Sequence, residues 1–120
     1  MKFDMTSPCP KCPFRTDVPP YLRQDRAQEI ADDLTRHQQT FACHQTITFD
    51  GEGEYVPRNG EQHCAGALIV LEKMNRPNQM MRWMERLGGY DRRKLKMDAP
   101  VFDTMRRFVS AQRRQKVAGR

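Results

Sequence analysis

Two cysteines three positions apart, each followed by a proline (Cys9-Pro10-Lys11-Cys12-Pro13), constrain this chain more than any other feature. Five of the eight prolines fall in residues 1–20. Proline fixes φ and has no backbone N–H, so this stretch is a stiff irregular loop and not a helix or central strand. A C-x2-C pair on such a loop has the spacing of half a metal site. Two thiolates rarely hold a metal alone. The remaining cysteines are Cys43 and Cys64, each next to a histidine, His44 and His63.

The set Cys9, Cys12, Cys43 and Cys64 therefore forms the candidate ligand group. Structural zinc sites usually draw their ligands as two knuckles, and only one is present here. Zinc knuckles also turn free N–H groups toward sulfur, and Pro13 stands where a glycine would be usual. Iron–sulfur clusters accept scattered cysteines and tolerate Cys-Pro steps. The expectation is thus a [4Fe–4S] cluster over zinc, with [2Fe–2S] third. His44, His63 and Arg15 are expected around the sulfurs and not as ligands, because adjacent residues seldom both bind one ion. A thiol oxidoreductase working through Cys9 and Cys12 is an alternative, with Lys11 and Arg15 to lower the thiol pKa. The chain has no HExxH, phosphate loop, nucleophile elbow or paired-carboxylate motif, so the reading favours a non-catalytic protein.

Periodicity sets the elements around this loop. Ala27, Ile30, Ala31 and Leu34 recur at helical spacing and predict an amphipathic helix over about 20–37. Residues 46–58 alternate β-branched and aromatic residues around Asp50-Gly51-Glu52-Gly53, which predicts a short β-hairpin that would bring Cys43 beside Cys64. The segment 64–74 is apolar on nearly every face from Ala65 to Leu71 and predicts a buried central helix, with a strand at 67–71 as the alternative that pattern alone leaves open. Pro77 opens a helix ended by Gly88–Gly89, whose stripe of Met80, Met81, Met84 and Leu87, with Trp83 beside it, is expected to pack in the core. A last helix is expected over about 99–115, capped by Asp98, with Pro100 in its first turn. The fold class is α+β, mostly α: a small helical domain with an N-terminal metal-binding loop and a short β-hairpin. Residues 1–98 form its metal-binding part, and 99–120 a basic helix and tail within the same domain.

The net charge of +6 is unevenly placed. Residues 91–120 carry ten Lys and Arg against three Asp and Glu, whereas residues 1–90 carry eleven against twelve. A basic helix suggests a polyanionic partner, DNA or RNA, met by Arg106, Arg107, Arg113 and Arg114. No apolar run reaches the ~20 residues of a membrane span. The N-terminus lacks the apolar run of a secretory signal, so a cytoplasmic protein with reduced thiols is expected.

The motifs CPKCPFR, FACH and CAG together resemble a family of small, largely uncharacterised phage and bacterial proteins. That resemblance spans about three quarters of the chain. It implies that Cys9, Cys12, Cys43, His44 and Cys64 belong to one site and implies no activity. A weaker likeness joins the chain to the WhiB-like iron–sulfur regulators, which also combine a C-x2-C with single cysteines and a basic C-terminal segment, in a different order. The expected function is a small metal-binding protein, regulatory or nucleic-acid-associated, in a phage-encoded setting. A zinc-stapled module that meets a protein partner through the Met80/Met81/Trp83/Met84 helix is the alternative.

Overall fold

Seven successive residues, Ala65 to Leu71, are buried on every side. A helix with no polar face must be enclosed by other elements, and α2 (Ala65–Lys73) is that enclosed centre. The computed structural model describes residues 2–43, 48–49, 55–56 and 62–118, of which 48–49, 55–56 and 113–118 are described by backbone alone. Around α2 stand α1 (Gln24–Thr35), α3 (Gln79–Arg86) and α4 (Met105–Ala118), with one 3-10 turn at Arg92–Lys94. Strands β1 (Thr48–Phe49) and β2 (Tyr55–Val56) pair antiparallel, Thr48 with Val56 and Phe49 with Tyr55. The turn expected between them, 50–54, lies outside the described residues. The fold is mostly helical.

Helix α1 buries the expected stripe of Ala27, Ile30, Ala31 and Leu34 and packs against α4. It starts at Gln24, later than expected, because the residues before it serve other elements. The Tyr21 hydroxyl donates to the Lys11 carbonyl (2.9 Å), and the Leu22 N–H donates to the buried Gln112 side chain on α4 (3.0 Å).

Helix α4 starts six residues later than expected, and Asp98 does not cap it. Residues 100–102 run alongside the cysteine loop instead: Thr16 N–H donates to Pro100 O (2.8 Å) and Phe102 N–H to Phe14 O (3.1 Å). Backbone groups committed to that pairing cannot also enter a helix. Thr104 takes over the cap, its hydroxyl accepting from Arg107 N–H (3.1 Å). Inside, Phe14 stacks on Phe108 with ring centroids 4.5 Å apart, which pins the loop to α4.

The methionine stripe of α3 departs from its expected role. Met81 is buried and Met84 half-buried, but Met80, Trp83 and Leu87 face outward. The setting of α3 follows from Asn78. Its side-chain NH2, itself buried, donates to Leu34 O (2.9 Å) and Gln39 O (2.8 Å), while its oxygen accepts from Met80 N–H (2.9 Å). Gly88, at φ +82°, closes the helix in a conformation that favours glycine. No helix among the described residues is long and apolar enough to cross a membrane.

Asn78 therefore joins α1 to α3 and caps α3 with one side chain. Asn78→Ala removes the cap and strands two carbonyls near the core, and the expected loss is about 3 kcal/mol in urea unfolding. A loss below about 1 kcal/mol would show that α1 and α3 dock without it.

Candidate metal centre

Two backbone devices bring the cysteines together. The first folds the proline-rich loop: Cys12 N–H donates to Cys9 O (3.1 Å) and Arg15 N–H to Cys12 O (3.2 Å), giving two successive tight turns. The second pairs 41–43 antiparallel with 62–64. Cys43 N–H donates to Gln62 O and Cys64 N–H to Phe41 O, both at 2.8 Å, with an isolated bridge between Ala42 and His63. Lys2 O joins from the other side by accepting from His63 N–H (2.8 Å).

All four cysteines are reduced and buried. Cys12 and Cys64 hold their sulfurs 3.5 Å apart. The Cys9 and Cys43 thiols are within hydrogen-bonding reach of each other, and Cys9 also feels Cys12. Cys64 feels Cys43 as well as Cys12. Each thiol thus lies within electrostatic range of two others, in a closed ring. Among the described residues no group of three or more His, Cys, Asp or Glu side chains meets the spacing of a formed metal site. The sulfurs meet as thiol couples, Cys12 with Cys64 and Cys9 with Cys43.

The charge state of the ring follows from its donors. The Cys64 thiol donates to Cys12 and lowers the Cys12 pKa; burial opposes this, and the Phe14 and Gly66 N–H groups and Arg15 assist. Cys64 is correspondingly pushed well above the thiol range, by Cys12 and by burial, against one N–H bond from Ala67. Burial raises Cys9 despite an N–H bond from Lys11. Within the Cys12–Cys64 couple, Cys12 is therefore the sulfur that gives up its proton more readily. Pro13 has no N–H, and none is needed: Lys11, Phe14, Gly66 and Ala67 supply the donors. Two of them open α2, where the helix dipole also favours an anion.

Gly66 makes that approach possible. A Cβ there would lie 2.5 Å from Cys12 Sγ and 3.1 Å from Phe14 Cβ, both fully buried. The motif C-A-G carried this signal in the sequence, but its glycine was not singled out. Tyr21 was missed too. Its hydroxyl is held at Lys11 O close enough to feel Cys12, Cys9 and Cys64, and its pKa is pushed up to about 12, first by burial and then by those thiols.

The expected neighbours act through backbone. Among the described residues His63 bonds no sulfur. Its Nε2 accepts from Phe41 N–H (3.2 Å), which leaves Nδ1–H to donate to Cys64 O (3.1 Å), and its ring stacks on Phe3 at 5.0 Å. Arg15 donates to Cys9 O (3.4 Å) while a two-pronged pair with Asp17 (2.7 Å each) fixes its guanidinium. His44 lies outside the described residues. Of the basic residues on α4, Arg106 is exposed, and Arg107 is exposed and pairs with Asp103 at 3.6 Å. The side chains of Arg113 and Arg114 lie outside the described residues.

Residues 4–118 match the model of a family of unknown function (DUF6283). No curated protein and no solved structure matches the chain.

Gly66→Ala should force Cys12 sulfur off the helix terminus, costing about 1–3 kcal/mol in urea unfolding. Gly89→Ala, whose one close approach is to the flexible end of Met84, should cost less than 1 kcal/mol. Equal losses in the two variants would remove the special role of Gly66. His63 gives a pH dependence with a definite sign. Burial lowers its pKa to about 4 from 6.5, so the unfolded chain binds the extra proton and stability falls as pH drops from about 6.5 toward 4. Between pH 7.5 and 5 this amounts to about 2 kcal/mol. The unfolding free energy of His63→Gln in urea should fall by about that much less over the same interval, and an unchanged pH dependence would count against a buried neutral imidazole.

Proposed function

The chain belongs to the DUF6283 family, which has no assigned activity, and we propose from its own geometry that it is a non-catalytic, metal-stapled protein that binds nucleic acid. The observation that carries the metal half is the ring of four buried thiols with Cys12 and Cys64 sulfurs 3.5 Å apart. Cys9, Cys12, Cys43 and Cys64 would hold the ion. At a Zn–S bond of about 2.3 Å, sulfurs on one tetrahedral ion stand about 3.8 Å apart, close to this spacing. A cubane sets each thiolate on a different iron and spreads the sulfurs further. Zinc is therefore favoured over the [4Fe–4S] cluster expected from the sequence; that expectation rests on the missing second knuckle and on the missing N–H at Pro13, and Phe14 and Gly66 supply Cys12 with the N–H groups that Pro13 does not. The bound metal would supply folding free energy to a chain with a lean core. Burial also favours retention over exchange. A Cys9/Cys12 oxidoreductase needs a sulfur within reach of its substrate, and here Cys12 is fully buried with Cys64 as its partner.

The nucleic-acid half is supported by the charge of residues 91–120 and by Arg106, which is exposed and in no ion pair among the described residues. The pair between Arg107 and Asp103 is solvent-exposed on both sides and leaves Arg107 available to phosphate at little cost.

Metal analysis of protein purified without chelator should give one zinc per chain. Cobalt substitution should give the absorption of a tetrahedral tetrathiolate, and Cys12→Ser or Cys64→Ser should lose both the metal and the cooperative melt. Roughly four iron and four labile sulfide per chain would replace zinc by a cluster. Protein that folds cooperatively with no metal would overturn the staple.

A further inference from the structure

The exposed side of α3 is more than a failed core stripe. Arg82, Trp83 and Arg86 lie three and four positions apart on one face, and with Arg76 they line a cleft of about 580 Å³ closed on its far side by Thr35 and Gln38 at the end of α1. Trp83, the chain's one tryptophan, is 55% exposed. None of the three arginines is in an ion pair among the described residues. The cleft is a built feature: Gln38 Oε1 accepts from Gln79 N–H (2.8 Å), and Asn78 ties the same two helix ends together. Thr35 and Arg76 also line a second depression, of about 530 Å³, which continues to Arg36 and Arg106.

We infer that this groove binds single-stranded nucleic acid, a base stacking on Trp83 and successive phosphates meeting Arg82, Arg86, Arg76 and Arg106. The placement rests on the nucleic-acid role proposed above and moves its centre from the outer face of α4 to the groove between α1 and α3. Charge complementarity selects the occupant. Unpaired guanidiniums around an open indole suit a ligand that alternates anionic groups with flat π-faces, and a strand supplies both. A duplex supplies phosphates but keeps its bases stacked inside, so Trp83 selects the unpaired form.

Because Trp83 is the chain's one tryptophan, its fluorescence reports the groove directly. Titration with oligo-dT or oligo-U at low salt should quench it, and a duplex of equal length should not. Trp83→Ala should weaken strand binding by about tenfold, measured by anisotropy of a labelled oligonucleotide. If Arg76, Arg82 and Arg86 each meet a phosphate, they contribute about −2.1 to the slope of log K against log salt, and Arg82→Ala with Arg86→Ala should lower its magnitude by about 1.4. These side chains are on the surface, so the variants should keep wild-type metal content and melting temperature. Strand binding untouched by both variants but abolished by Arg106→Glu with Arg107→Glu would overturn the groove and keep the nucleic-acid role. No binding of any oligonucleotide by the wild type would overturn both. Quenching by an acidic peptide and not by oligonucleotides would assign the groove to a protein, and a mononucleotide that binds as tightly as the strand would reduce it to a nucleotide site.

Discussion

The first turn of α2 and the sulfurs of Cys12 and Cys64 need one another. A helix start leaves N–H groups without intrahelical partners, and burial denies them water. Buried sulfurs that share a proton likewise need donors. At Gly66 and Ala67 each demand meets the other. The rest of the fold follows from holding that contact. Phe14 clamps the loop against α4, residues 100–102 lie along residues 14–16, and the pairing of 41–43 with 62–64 delivers Cys64 to the helix start. The apolar run Ala65–Leu71 offers no polar side chain at this end, and the polar ties of α2, Glu72 with Tyr90 and Lys73 with Val101 O, lie at its far end.

The sequence revealed features that depend on local chemistry. The α1 stripe, the all-round apolarity of α2 and the knuckle-like loop each follow from residues close together in the chain. Features that depend on distant partners were hidden. Pro13 counts against zinc only if the donors stand beside the cysteine, whereas one of those to Cys12 comes from Gly66 on α2, more than fifty residues on. Pro100 and Asp98 looked like a helix start, but the backbone there pairs with Phe14 and Thr16. The methionines of α3 matched a core stripe in spacing, yet Asn78 fixes the rotation of that helix and turns Met80, Trp83 and Leu87 outward. His63 is expected around the sulfurs, and its ring bonds Phe41 N–H and Cys64 O, because an imidazole next to a thiol can equally well bond two backbones.

Polar groups buried in this core share a pattern. Asn78, His63 and Gln112 each bond backbone from an element distant in sequence. None of them extends a helix. They act as cross-ties at places where chain reversals leave N–H and C=O groups without a ladder. A small domain with a lean apolar fraction gains definition from such ties, because apolar packing alone leaves neighbouring arrangements close in energy.

Two backbone hydrogen bonds, Cys43 to Gln62 and Cys64 to Phe41, close the interval 44–61 at its base. Neither uses a side chain from inside the interval. Lengthening a closed loop is cheap, about 0.6 kcal/mol for each doubling. Selection can therefore rewrite, extend or exchange that interval while the clasp beneath it keeps its sulfurs in register. The arrangement puts the fastening in 41–43 and 62–64 and leaves the length of the interval between them free to change at little cost to the core.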